Sequence, residues 1–226
     1  SIGFFQTQRL ARARASKLMK LAVKPGYWSA ARAGVAASVE HSGIGLNPNT
    51  RTVLDVGASH GQFALFAAKE MPRARIICFE PLPGSRSSIE QVLGNRVEIV
   101  PAAVGVASGK ATLNVSAQDD SSSLLPIGER QVSEFPGTAS RGTQEVPVTT
   151  LDEGVPGDIV SPCLLKIDVQ GLELQVLKGA SETLLSVDEA LIECSFVELY
   201  EGQSLADEVV EFMLRSGLRL RGVHGT

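Results

Sequence analysis

Long hydrophobic runs are missing from this 226-residue sequence. No stretch nears the roughly 20 apolar residues that a bilayer-spanning helix needs, and no signal-peptide pattern opens the chain. Cysteine is scarce. Cys78, Cys163 and Cys194 are odd in number, lack paired spacing, and each lies in an apolar run that reads as a strand. This excludes a disulfide framework and a cysteine metal cluster, and it points to buried reduced thiols in a cytoplasmic setting. No internal repeat is present, which excludes a solenoid. Positive charge is also short, at a net −4, but unevenly so. Arg9, Arg12, Arg14, Lys17, Lys20, Lys24 and Arg32 face Glu40 alone within residues 1–50, a surplus of six, so the rest carries −10. An acidic body of that kind excludes general nucleic-acid binding.

What remains fits one large domain, or one domain plus an appendage. Residues 1–45 are rich in Ala, Arg and Lys and read as helical, with Phe4, Phe5, Leu10, Leu18, Met19 and Leu21 on an imperfect apolar face. Three readings of this basic segment stay open: helices packed on the body, with Trp28 as packing; an arm on an anionic membrane surface or acceptor; or a poorly ordered end. The chain opens at Ser1 without Met, which reads as a processed or trimmed product. The turn-forming run 43–49 then marks a boundary, with the body at 46–226.

The body opens on a strand, Thr52-Val53-Leu54-Asp55-Val56, a turn bracketed by Gly57 and Gly61, and a helix over 62–70. A second strand (75–80), a helix (83–93) and a third strand (97–100) follow, a βαβαβ rhythm at the spacing of a doubly wound, mostly parallel α/β sheet. The rhythm breaks at about 102–150. There the pattern reads as a hairpin from Ala103-Val104 and Thr112–Val115, a long irregular loop over 117–144, and a short strand at 146–151, placed at an edge by Pro147. It resumes with a strand at 163–168, a helix over 172–178, a strand at 189–194 and an amphipathic helix over 204–216. Leu218-Arg219-Leu220 reads as the start of a last strand.

Four strands end in acids: Asp55, Glu80, Asp168 and Glu193. In a parallel sheet these ends share one edge, so the four converge on one crevice. Like charges there repel unless a ligand, a cation or hydrogen bonds offset them. Glu80 falls 19 residues past Gly61, where a nucleotide-type site places a carboxylate on ribose hydroxyls. The turn Gly57-Ala58-Ser59-His60-Gly61 lacks the middle glycine that brings backbone close to a pyrophosphate. A ligand with a ribose, a cationic end and no phosphate fits better. S-adenosylmethionine is such a ligand, and NAD is disfavoured.

The ordered set Asp55-Val56-Gly57-Ala58-Ser59-His60-Gly61, Phe79-Glu80-Pro81, Ala103-Val104-Gly105, Ser122-Ser123-Leu124, Leu165-Lys166-Ile167-Asp168-Val169-Gln170-Gly171-Leu172-Glu173 and Leu177-Lys178-Gly179-Ala180 resembles the FkbM family of methyltransferases over roughly residues 50–200. The resemblance implies a Rossmann-like class I methyltransferase fold. It also implies S-adenosylmethionine-dependent O-methylation of a hydroxyl on a sugar, glycolipid, polysaccharide or polyketide-type acceptor. By position it implies Asp55, Gly57 and Gly61 around the donor's methionine part, Glu80 on its ribose, Ala103 near its adenine and Asp168 facing the methyl. Ala58, His60 and Pro81 belong to the same donor-contacting turns. The class I sheet finishes with an antiparallel pair, and the chain stops at Thr226 before a second such strand, so a truncated or incomplete sheet is expected.

Methyl transfer to an alcohol needs alignment, exclusion of water and removal of a proton. Asp168 is the first candidate base or acceptor-positioning group, against a role in binding the donor's amino group. Glu173 and Glu193 are further catalytic candidates, against helix-dipole pairing and structural hydrogen bonding respectively. Lys166 shares a strand face with Asp168 and is expected to pair with an acid. No compact metal-ligand spacing exists, and no metal site is assigned. His41 and His224 read as surface residues. Tyr200, Glu198 and Ser121, Ser122 and Ser123 are candidates for the acceptor pocket. Two other readings stay open: a non-catalytic S-adenosylmethionine-binding scaffold, and an NAD or nucleotide-sugar enzyme on a similar sheet.

Overall fold

The computed structural model describes residues 35, 37–38, 41, 43–117 and 121–224. Most of the expected helical segment 1–45, with its apolar face and Trp28, lies outside the described residues. Val35 and Ala37 are buried with Leu65.

In chain order the elements are β1 (Thr52–Val56), α1 (Gln62–Glu70), β2 (Arg75–Phe79), α2 (Pro83–Leu93), β3 (Glu98–Val100), β4 (Ala103–Val104), β5 (Gly109–Ser116), α3 (Glu129–Glu134), β6 (Ser140–Thr149), α4 (Leu151–Gly154), β7 (Cys163–Ile167), α5 (Glu173–Lys178), β8 (Glu189–Ile192) and α6 (Ala206–Arg215). Five of them form a parallel sheet in the order β3-β2-β1-β7-β8. β1 and β7 lie at its centre and are buried at every position, which is why they are apolar but for Thr52, Asp55 and Lys166. Alternation sorts their side chains. Val53, Ile76 and Leu164 pack with Phe63, Ala67 and Ile89 on one face; Leu54, Ile77 and Leu165 pack with Leu151, Leu177 and Val209 on the other. Leu165→Ala in this fully buried position is expected to destabilise the fold by about 2–5 kcal/mol, read as a lowered denaturation midpoint.

The chain runs from β1 outward to β2 and β3, then returns to place β7 on the other side of β1. The loops leaving β1 and β7 therefore diverge, and the crevice between them is the switch point of the sheet.

The region 102–150 departs from expectation. β4 and β5 do not pair with each other. Both pair with β6, in the order β4-β6-β5, so β6 is a middle strand of ten residues rather than a short edge. Pro147 is tolerated because of its side. The carbonyl of Thr149 accepts from Gly105 N–H on the β4 flank, so Pro147, two residues earlier, faces that flank too, where β4 has not yet begun. The supposed long loop is also structured: it holds α3, and isolated bridges tie Ser123 to Asn114 and Ile127 to Tyr200.

Leu218 does not begin a strand. Its N–H bonds back to Met213 O, and Gly217, at φ +89, ends α6 in a left-handed turn. All three cysteines are free, with Cys78 and Cys163 buried. Among the described residues no helix is long and apolar enough to cross a membrane.

Candidate active site at the switch point

Asp55 of β1 and Lys166 of β7 stand side by side in register. Both are buried, and the ammonium lies 3.3 Å from Asp55 Oδ1 and 3.4 Å from Asp168 Oδ2. It also donates to Gly57 O at 3.1 Å and sits over the Phe63 ring. Burial works against the Lys166 charge, but Asp55 and Asp168 outweigh it and hold the ammonium above the ordinary lysine range. Burial pushes the Asp55 carboxyl up, and Lys166 opposes this. Asp55, fully enclosed, is thus a foundation beneath the crevice, not a wall of it.

Gly57 is the pivot. At φ +75 it turns the chain out of β1, and a Cβ there would stand 1.8 Å from Asp168 O. Only glycine lets the two strand-end turns touch. Gly57→Ala is expected to cost more than about 2 kcal/mol, seen in thermal melts, because the opposing atom is backbone and the conformation is strained.

Glu80 is held from two sides. Its Oε2 accepts from Ser59 N–H and its Oε1 from Leu82 N–H, each at 2.8 Å. Burial raises its carboxyl to about 7, with those two N–H groups opposing the rise. Each oxygen keeps a further lone pair for a ligand donor. Next to it, the buried Ser59 hydroxyl has no hydrogen-bond partner among the described residues.

Across the crevice, Asp168 Oδ1 accepts from Gln170 Nε2 at 2.7 Å. Glu193 follows β8 and is raised to about 7 by the charge of Asp168 first and by burial second. Two carboxyls raised in the folded state favour its protonated form. Their contribution to stability is full below the ordinary value of 4.5 and is lost as pH rises through about 7. Ligand-free protein is expected to lose thermal stability across that window, and Glu193→Gln to flatten the loss.

Glu173 borders the cleft but is committed to backbone. It is 2% exposed, and its Oε1 accepts from Gly171 N–H at 3.0 Å and Val169 N–H at 3.4 Å, bracing the turn after β7. His60 also points elsewhere, with Nδ1 3.2 Å from Ser88 Oγ of α2, and Gly61 packs on Ile89. His60 and Gly61 do not line the crevice, whereas Gly57, Ala58, Glu80, Pro81, Ala103, Asp168 and Glu173 do. The crevice opens into a cleft of roughly 1790 Å³ that extends past β8 toward α6.

Tyr200 is buried, its hydroxyl 2.8 Å from Gln170 Oε1 and 3.1 Å from Ser121 O. Ser123 donates to Gln170 O at 2.7 Å. The serines 121–123 thereby border the cleft, while Glu198 instead accepts from Gly202 N–H outside it. His41 is not a free surface residue. Its ring packs edge-on against Phe63 and Phe66, and it reaches the cleft. Sequence reasoning missed Gln170, although it lay inside the most distinctive motif.

Comparison with known proteins bears on this arrangement. The family model for the methyltransferase FkbM domain matches residues 55–220, from Asp55 in β1 to beyond α6. The 2-O-methyltransferase NoeI of Sinorhizobium fredii is 29% identical over 160 residues, 67% of this chain and 66% of NoeI. The hexuronic acid methyltransferase AglP of Haloferax volcanii is 26% identical over 141 residues, 62% of this chain and 54% of AglP. The chain thus matches about two thirds or less of the length of these relatives. The crystal structure of LaPhzM aligns at TM-score 0.42 and 18% identity, over 89% of this chain and 55% of that one, which is too loose to bear on function. With the family match running through both strand-end turns that shape the crevice, this chain belongs to the FkbM methyltransferase family.

Proposed function

We propose that the chain is an S-adenosylmethionine-dependent O-methyltransferase acting on a hydroxyl of a sugar, glycolipid, polysaccharide or polyketide-type acceptor. The observation that carries this reading is the opposition of Glu80 and Asp168 across the switch-point crevice, both lining one cleft. NoeI and AglP, named as methyltransferases, support the acceptor class.

The residues present suit the donor. Glu80 would take the ribose hydroxyls. The backbone at Gly57 and Ala58 would face the methionine part, with Ala103 and Pro81 toward the base. The unpartnered Ser59 hydroxyl is a further polar contact at the same turn. When bound, the donor supplies an electrophilic methyl on a sulfonium. The chain's own tasks are to align the acceptor oxygen, to exclude water and to take a proton. Asp168 would receive that proton, with Lys166 beside it at 3.4 Å. Asp55 and Glu173 are positioning residues: the first holds Lys166, the second holds the turn that carries Asp168.

The test is release of S-adenosylhomocysteine from S-adenosylmethionine in the presence of a panel of neutral monosaccharides, uronic acids and short glycans. Product release that depends on one acceptor class supports the reading. Donor binding without release across the panel favours a scaffold.

A further inference from the structure

Gln131 of α3 is 4% exposed and lines the cleft, yet its Oε1 meets no hydrogen-bond partner among the described residues. An enclosed amide oxygen left unpaired weakens the fold, so its place at the wall of a cleft points to a ligand rather than to stability. The residue is firmly mounted. Gly128 N–H donates to Leu199 O, and a Cβ on Gly128 would stand 2.5 Å from that oxygen, so α3 starts hard against the segment before Tyr200. Beyond α3, Thr138 Oγ1 donates to Phe135 O at 2.8 Å and reaches Gln131 O at 3.3 Å, while Thr138 O accepts from Ser116 Oγ of β5 at 3.1 Å. α3 is thereby tied to the body at both ends.

Its neighbours suit one kind of ligand. Ser122 Oγ accepts from Ser116 N–H at 3.0 Å and keeps its own O–H to donate. Phe135 lines the cleft and is half exposed, offering apolar area to the C–H groups of a ring. Leu113 and Leu124 also line this arm. None of these side chains is charged. The Gln131 amide presents its oxygen as acceptor or its nitrogen as donor by a half-turn about its last torsion. Charge lies at the crevice instead, where Glu80, Asp168 and Glu193 outnumber Lys166, itself paired with Asp55 and Asp168. The arginines of the cleft, Arg219 and Arg221, belong to the stretch after α6, and Arg221 is paired with Glu189 at 2.5 Å. An anionic acceptor in this arm would meet the crevice acids without a cation to offset them.

We propose that the arm walled by Gln131, Ser122 and Phe135 is the acceptor subsite, and that it takes a neutral polyhydroxylated ring, a sugar unit without carboxylate or phosphate. The inference rests on the O-methyltransferase reading of the crevice and narrows its acceptor. One sugar hydroxyl supplies the donor that Gln131 Oε1 lacks, a second accepts from Ser122, and the C–H face of the ring lies on Phe135. The arm adjoins the turn that carries Asp168: Ser123, next to Ser122, donates to Gln170 O at 2.7 Å.

Binding, read apart from turnover, tests this. The full chain is first titrated with S-adenosylhomocysteine by calorimetry. In its presence, saturation-transfer NMR then follows methyl glycosides of neutral hexoses and 6-deoxyhexoses and of the matching uronic acids. At least one neutral glycoside is expected to bind, and its uronate counterpart at least about tenfold more weakly. Gln131→Leu, which replaces an unpaired amide by an apolar side chain of similar size, is expected to weaken the neutral glycoside roughly three- to tenfold and to leave S-adenosylhomocysteine affinity within about twofold. Phe135→Ala, at a half-exposed position, is expected to weaken the same glycoside and carries the test if Gln131→Leu does not fold. Failure of S-adenosylhomocysteine to bind would overturn the methyl-donor reading and this inference with it. With that binding intact, the subsite alone is overturned if no neutral glycoside binds, if the uronate binds as tightly, or if the folded variant keeps wild-type glycoside affinity.

Discussion

Asp168→Asn is expected to lower methyl transfer by about 10²- to 10⁴-fold while donor affinity changes by no more than about threefold. The substitution keeps the shape of the side chain and the hydrogen bond from Gln170 to Oδ1. It removes the charge that receives the acceptor proton and that pairs with Lys166 at 3.4 Å. Lys166 keeps Asp55 as a partner at 3.3 Å, so the foundation of the sheet survives. Loss of turnover with intact binding places Asp168 in the chemical step. A variant with full turnover would remove it from the mechanism, and a parallel loss of binding would make it a contact for the donor's amino group. The measurement is S-adenosylhomocysteine release beside calorimetric titration of the same preparation.

Glu80→Ala carries the second large effect. It is expected to weaken S-adenosylmethionine binding by about 10²- to 10⁴-fold, because two hydrogen bonds to a charged acceptor are worth about 1.5–3 kcal/mol each. The change also strips the acceptor from Ser59 N–H and Leu82 N–H, which loosens the turn itself. A pH signature separates the two effects. The ionised carboxylate is the form that accepts hydroxyls, and in the free protein it is protonated as pH falls below about 7. Wild-type affinity is therefore expected to fall by up to about tenfold per pH unit below that point, and the affinity of Glu80→Ala to stay nearly flat. An equally steep fall in the variant would move the pH sensitivity to another group.

Much of the fold was legible because the central strands are buried on both faces. Thr52–Val56 and Cys163–Ile167 are therefore mostly apolar, and their ends are marked by glycine and acid. The convergence of Glu80, Asp168 and Glu193 followed from parallel strand ends sharing an edge. Less legible were the residues whose partners spacing does not encode. Asp55 reads as a strand-end acid, yet its pairing with Lys166 across 111 positions buries it beneath the crevice. Glu173 and His60 sit within the motifs, but one braces backbone N–H groups and the other reaches Ser88, directions that spacing does not encode. β6 reads as an edge because a proline forbids pairing on the flank its nitrogen faces, but β4 pairs with that flank only from Val148 onward, so the strand can be central. The Tyr200–Gln170 link joins residues 30 apart through a left-handed turn that no periodicity announces.

The proposed donor site is the switch-point crevice, with Glu80 as its main contact. Isothermal titration of S-adenosylmethionine and, separately, NAD into the wild-type chain at pH 8 tests it most directly. Saturable one-to-one heat with S-adenosylmethionine, none with NAD, and loss of the heat in Glu80→Ala are expected. Binding of NAD, or S-adenosylmethionine binding that Glu80→Ala leaves unchanged, would contradict it.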